Sequence, residues 1–178
     1  MAGEYTFNTT AGQTVEREKL ICYLNTGTTS TPVWSPLGLR VEDSSEEMDW
    51  NTETKQDILG KTHGTMKKPI ITQSFEPCEL DSGDAAQQKL WQLAVVEQNY
   101  PALSALDMLI VHLYSTDGQT TPKSFAERYD GCMVEASELG GEGGGAVGMP
   151  INVTYGGTRT TGKATVTSAG VVTFTADS

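Results

Sequence analysis

The sequence predicts a mainly β protein, an antiparallel β-sandwich or open barrel flanked by one α-helix, with a long acidic loop after the early strands. Three observations predict it. Thr is abundant and 19 of the 178 residues are Gly, a mix that favours strands and turns over helices. Short apolar or alternating stretches recur between turn-forming clusters, and successive strands joined by turns pair antiparallel. Only one stretch carries a convincing helical period.

Lys19–Leu24 (KLICYL) reads as the first strand and Asn25–Thr31 as a Thr/Gly/Ser turn region. Val33–Val41 is a second extended segment, made irregular or edge-like by Pro36 and Gly38. Glu42–Gly60 then carries seven acids, Glu42, Asp43, Glu46, Glu47, Asp49, Glu53 and Asp57, against the single base Lys55. It shows no period of 2 or 3.6, and polar connections this long are usually functional or disordered. Met48 and Trp50 sit in its middle. A solvated linker has little use for a tryptophan, so Trp50 reads as an interface anchor or as cover within one subunit.

Thr65–Glu76 reads as a long strand with Pro69 near an edge position. The helix follows. Ser82 or Asp81 can cap it, and Asp84 favours its first turn. Ala86, Leu90, Leu93 and Ala94 take the i, i+4, i+7, i+8 spacing of one sheet-packing face, which Trp91 and Val95 widen. The helix is expected to end before Tyr100-Pro101. Leu106–Tyr114 is apolar enough to be a central strand, and Asp117-Gly118 centres the turn after it. Ser124–Leu139 is another strand, interrupted at Asp130-Gly131 by a bulge or turn. Beyond a glycine run, Pro150–Tyr155 alternates cleanly and Gly156-Gly157 breaks it. Lys163–Ala176 forms two short strands around Ser168-Ala169-Gly170, a hairpin signal. The sum is roughly seven or eight strands and one helix.

Charge and motif searches exclude several functions. The net charge is −11, from 23 acids and 12 bases, so the chain repels nucleic acid phosphates, and its nearest basic patch is only Lys67-Lys68. Cys22, Cys78 and Cys132 are scattered and odd in number, which suits buried free thiols in a reducing compartment. The N-terminus lacks the basic start and apolar run of a signal peptide. The longest apolar runs, Leu93–Val96 and Met108–Val111, are too short to span a bilayer. Of two histidines, His63 lies in a turn and His112 interrupts an apolar strand as a satisfied core or interface residue. A zinc site needs at least three good ligands. The acids of the 42–60 segment lack the glycine turn of a calcium loop. Gly143 to Gly148 match G-x-G-x-x-G, but a strand follows where a dinucleotide site needs a helix, so the run reads as a mobile linker. No nucleophile elbow is present. No catalytic, cofactor or metal site is expected, and the chain is not expected to be an enzyme.

Four phrases then carry a resemblance: Glu47-Met-Asp-Trp-Asn51 in the acidic loop, Pro69-Ile-Ile-Thr-Gln-Ser-Phe-Glu-Pro77, Gln88-Lys-Leu-Trp-Gln-Leu93 in the helix, and Ile151-Asn-Val-Thr-Tyr-Gly-Gly-Thr-Arg159. Over residues 15–160 the layout resembles the tail tube proteins of bacteriophages with long non-contractile tails. The resemblance implies a β-sandwich with a flanking helix, hexameric rings closed by joined sheets, and stacking of rings into a tube that conducts the genome to the host. It implies that residues 42–62 form the loop that reaches the next ring. Glu42, Asp43, Glu46, Glu47, Asp49, Trp50, Glu53 and Asp57 then become contacts between rings or subunits. Other copies of itself, a tape measure protein, and tail terminator and distal tail proteins would be its partners. DNA would pass the negatively charged lumen without specific binding, and there would be no membrane insertion. The location implied is the virion tail, after synthesis in the host bacterial cytoplasm. Residues 1–178 would be one domain, with an N-terminal arm at 1–15 and a C-terminal hairpin or extension at 156–178. The inner tube of a contractile tail or secretion machine is the alternative, and a carbohydrate-binding or adhesion β-sandwich a more distant one.

Overall fold

The computed structural model describes residues 5–177. Residues 1–4 of the expected N-terminal arm, and Ser178, lie outside them. The strands are β1 (Thr6–Phe7), β2 (Leu20–Asn25), β3 (Trp34–Leu37), β4 (Val41–Asp43), β5 (Glu46–Asp49), β6 (Glu53–Gln56), β7 (Thr62–Thr65), β8 (Ile70–Cys78), β9 (Leu106–Thr116), β10 (Ser124–Ala136), β11 (Ile151–Tyr155), β12 (Arg159–Val166) and β13 (Val172–Ala176). All pair antiparallel, in one curled 11-stranded sheet and a separate two-stranded ribbon of β6 and β7. The mainly β half-barrel with helical cover agrees with the sequence expectation of an open barrel.

Long β10 organises the sheet. Its residues Ser124–Tyr129 pair with β9 on one side and β12 on the other, whereas Met133–Ala136 pair with β11. Between them the register slips at Tyr129/Cys132, so the break expected at Asp130-Gly131 is a bulge within a continuous strand. Opposite the bulge, the β11–β12 path kinks at Gly156-Gly157. Gly157 has φ +73°, and a Cβ there would come within 2.6 Å of the Gly131 nitrogen. Only glycine allows this approach and this dihedral together. The kink splits the sheet into two leaves. The first runs β3-β2-β9-β10-β12-β13, and the second runs β10-β11-β8 with β4 and β5 along the far side of β8.

Central β9 is buried on both faces, as its continuous apolar sequence predicts. Met108 and Ile110 enter a core between the leaves with Cys22, Leu24, Phe75, Val134, Ile151 and Val153. Leu109 and Val111 enter a second core with Tyr23, Trp34, Ala126 and Ala164, covered by Val172 and Phe174 from β13. Cys22, Cys78 and Cys132 are free and buried.

The helical segment departs from expectation at its N-terminal cap and ends where expected. Asp84 is the N-cap of α1 (Ala85–Trp91), accepting from Ala86 N at 2.9 Å and Gln87 N at 3.0 Å. Asp81 instead closes the preceding turn by accepting from Gly83 N. A π turn, Gln92–Val96, follows. Gln98, at φ +50°, breaks the path. Then α2 (Tyr100–Leu103) begins with Pro101 in its first turn, where a missing N–H costs nothing, and Asn99 caps it. The first helix thus ends before Tyr100-Pro101 as expected, and a separate short helix starts on that dipeptide. No helix among the described residues is long and apolar enough to cross a membrane.

The glycine run is a folded-back loop, not a mobile linker. Gly140 and Gly148 exchange two backbone hydrogen bonds of 3.1 and 2.6 Å, and Leu80 N and Met149 N tie the loop to the end of β8. Strands are also more numerous than expected, because the 42–60 segment is itself built of them.

Candidate assembly surfaces

The structure divides the acidic segment in two. Its first part belongs to the body: Val41 and Asp43 pair with Cys78 and Glu76, and Glu46–Asp49 pair with Gln73–Ile70. Glu42, Asp43, Glu47 and Asp49 are exposed and Glu46 is half-buried. Register places Asp43, Glu47, Glu76 and Glu135 on the outer face of the second leaf, together with Thr72, Ser74, Asn152 and Thr154. Strands β4, β5, β8, β11 and this half of β10 contain no Lys, Arg or His. That face is therefore mostly polar and anionic, interrupted by the exposed Met133 opposite Thr154 and Ile70 opposite Asp49.

The second part, from Glu53 to Thr65, is the β6–β7 hairpin. Among the described residues its strands pair only with each other, and every residue of both strands is exposed. Asp57 shapes the tip. Its carboxylate accepts from Leu59 N and Lys61 N at 2.9 Å each and lies 3.0 Å from His63 Nε2. The hydrogen bond from His63, then that from Lys61 N, holds this carboxyl below its usual range. Glu53 pairs with Lys67 at 3.6 Å. The sequence reading missed the ribbon because neither of its faces meets a core, so no apolar alternation marks it. The turn chemistry of Asp57 and Gly60 is the signal that could have found it.

Met48 and Trp50 stand where these two parts meet, with Trp50 45% exposed. They line a groove of about 390 Å3 at the open mouth between the leaves, with Ile70, Tyr129, Tyr155 and Arg159. At its floor Glu127, only 6% exposed, receives the Tyr129 hydroxyl at 3.0 Å and the Arg159 guanidinium, and meets His112 Nε2 at 2.9 Å. His112 Nδ1 meets the Tyr114 hydroxyl at 2.8 Å, so this histidine is satisfied inside the fold. Burial pushes the Glu127 carboxyl up, but the hydrogen bonds from His112 and Arg159 and their charge outweigh it and hold it at about 2. Burial pushes the Glu46 carboxyl up, and nearby Glu127 adds to that. Among the described residues no three His, Cys, Asp or Glu side chains are grouped to hold a metal ion.

On the helical side, Leu90 is buried in the core and Leu93 packs against it, while Ala94 is half-buried. Trp91 is 38% exposed and is not among the side chains packed on this core, whereas Val95 is, so of the two residues expected to widen the packed face Val95 does. Lys89 Nζ anchors α1 to β2 by donating to the Asn25 carbonyl at 2.6 Å. Three sheet borders lack a further partner strand among the described residues: β3, β13 and the outer sides of β4 and β5. β3 contains Pro36, which removes a donor and blunts that border.

No protein-family model matches the chain, and no curated protein matches it in sequence. Solved structures do match it. A chain of the sheath–tube complex of an extracellular contractile injection system, PVC, in the extended state aligns with TM-score 0.52 at 8% identity, over 86% of this chain and 94% of that one. The sheath/tube terminator of PVC, also in the extended state, aligns with TM-score 0.53 at 8% identity, over 85% and 99%. The tube-terminating cap of the anti-feeding prophage aligns with TM-score 0.52 at 9% identity, over 88% and 96%. At such identities the shared property is the fold, and the fold this chain shares is that of tail-tube and tube-terminator proteins.

Proposed function

We propose that this chain is a structural subunit that assembles with copies of itself into the tube of a tail-like particle, and that it performs no catalysis. The observation that carries the proposal is a curled half-barrel with unpaired borders at β13 and along β4–β5, in a fold shared with tube and terminator proteins. Unpaired strand borders are templates for another chain, and a head-to-tail contact that closes makes a ring. In this reading six copies join borders into a ring, and the β6–β7 hairpin meets the next ring. The contact set is Glu42, Asp43, Glu46, Glu47, Asp49, Trp50, Glu53 and Asp57. The anionic outer face of the second leaf suits the wall of a conduit, since phosphates slide past without adhering. A tape measure protein within the tube and terminator proteins at its ends are the further partners, in a virion tail or a related particle.

The test is negative-stain microscopy of the purified chain at rising concentration. Hollow tubes are expected, and a strictly monomeric chain at high concentration and moderate salt would overturn the proposal. Deleting residues 52–66 removes the ribbon without touching a body strand, and rings without stacks are the expected product.

The inner tube of a contractile machine is a second reading, favoured by the neighbours from an extracellular contractile injection system. It fits at least as well as a non-contractile phage tail. Co-assembly of the tubes with a sheath protein separates the two.

A further inference from the structure

The segment 53–68, the hairpin with the two lysines that follow it, is charged opposite to the body that carries it. We propose that β6–β7 docks on a second copy of this chain as a basic finger with an apolar tip. This rests on the tube-subunit reading and gives its stacking contact a chemistry. Residues 53–68 hold four lysines, Lys55, Lys61, Lys67 and Lys68, against two acids, Glu53 and Asp57. All other residues together hold eight bases against 21 acids. Glu53 is paired with Lys67 and Asp57 is held by the N–H groups of the tip and by His63, so Lys55, Lys61 and Lys68 are the charges the segment presents. Among the described residues Lys55, Lys61 and Lys68 have no ion-pair partner. Register sets Lys55 opposite His63, and the alternation of the ribbon puts Lys61 on the same face.

The tip adds a second, independent feature. Ile58 is 102% exposed and Leu59 88% exposed, two adjacent aliphatic side chains entirely in water. The turn presenting them is built, not loose: Asp57 accepts from two backbone N–H groups, Gln56 Nε2 donates to the Gly60 carbonyl at 3.0 Å, and Gly60 takes φ +79°. A two-stranded ribbon has marginal stability alone in water, so a rigid ribbon holding aliphatics outward is shaped for a contact. Charge complementarity selects the occupant. An identical body supplies the carboxylates the lysines lack, and each copy offers both finger and acceptor. Such a contact repeats without closing, as a stack requires.

The experiment measures the critical concentration for assembly of the full chain by sedimentation, from about 50 to 500 mM salt, a range that shortens screening severalfold. For the unaltered chain, the critical concentration is expected to rise with salt. The combined K55E, K61E and K68E variant is expected to need roughly tenfold more protein at low salt, and its salt dependence to reverse sign because salt screens repulsion. The matching Lys→Arg variant should assemble as the unaltered chain does. I58D with L59D should raise the critical concentration at every salt while keeping the sign of its dependence. Melting temperatures of the unassembled variants should be unchanged, since the ribbon pairs with nothing in its own body. A charge-reversed variant with unaltered critical concentration and salt slope overturns the docking proposal. So does one that assembles normally but loses retention on DNA-cellulose, which would assign the lysines to nucleic acid. Failure of the unaltered chain to assemble under any condition overturns the tube reading as well, so the two failures are distinguishable.

Discussion

Replacing Glu127 with Gln removes one charge from the floor of the groove and leaves the shape nearly unchanged. In the fold the Glu127 carboxyl is held at about 2, against 4.5 for an ordinary glutamate. A lowered folded value means that the carboxylate stabilises the fold above the unfolded value, and that this stability is lost as pH falls toward the folded one. At ~1.4 kcal/mol per unit, the difference is worth about 3 kcal/mol near pH 7. The same size is expected from leaving Arg159 and His112 facing an amide, since breaking a buried charge pair costs roughly 3–5 kcal/mol. For a chain of this length that is a fall of roughly 6–12 °C in Tm. Urea unfolding of both chains, at concentrations below assembly, should give a gap of about 3 kcal/mol at pH 7 and about half of it near pH 3. Glu46 on β5, Arg17, Tyr129 and Tyr114 surround the site in both chains, so comparing the two at the same pH largely cancels their own titration. A gap that is absent at pH 7, or equal at pH 7 and pH 3, would refute the charge-pair reasoning.

Three further changes probe the fold. Asp84→Ala removes the side-chain N-cap of α1 and should cost ~1 kcal/mol in urea unfolding. Gly157→Ala forces a Cβ to within 2.3 Å of Asp130 Oδ1 at a positive φ, and should destabilise by roughly 2 kcal/mol or more, read as a lowered thermal midpoint. Leu90→Ala empties a fully buried position between helix and sheet, for ~3 kcal/mol, whereas Trp91→Ala on the exposed side should change unfolding by less than about 1 kcal/mol.

What could be read from the sequence follows where side chains meet a core. β9 shows as an unbroken apolar run, and β11 and the packed face of α1 show their period, because Met108 to Val111, Val153 and Leu90 must be buried. Chain punctuation also speaks: Gly131 and Gly156-Gly157 mark the bulge and the kink. Strands that face water on both sides, or hold on through backbone alone, left no pattern. Hence Glu46–Asp49 and the first half of the hairpin read as one irregular acidic loop over 42–60, and the step from an anionic stretch to a charge-balanced one stayed hidden. Seven acids counted along the chain suggested a single anionic arm, but pairing with β8 draws five of them into the body. The Glu127–His112–Arg159 cluster was illegible for another reason, since its members lie on β10, β9 and β12 and only the sheet register unites them.

The three thiols have one more implication. Burial pushes Cys22 and Cys132 up to about 12 and Cys78 up to about 11, so almost no thiolate exists near neutral pH. Thiolate is the species that attacks disulfides and alkylating agents. A particle made of very many such copies would carry an equally large store of sulfur without cross-linking itself under oxidising conditions. The same inertness makes the chain a silent background for chemistry, in which one cysteine placed at a chosen surface position would be the sole site to react.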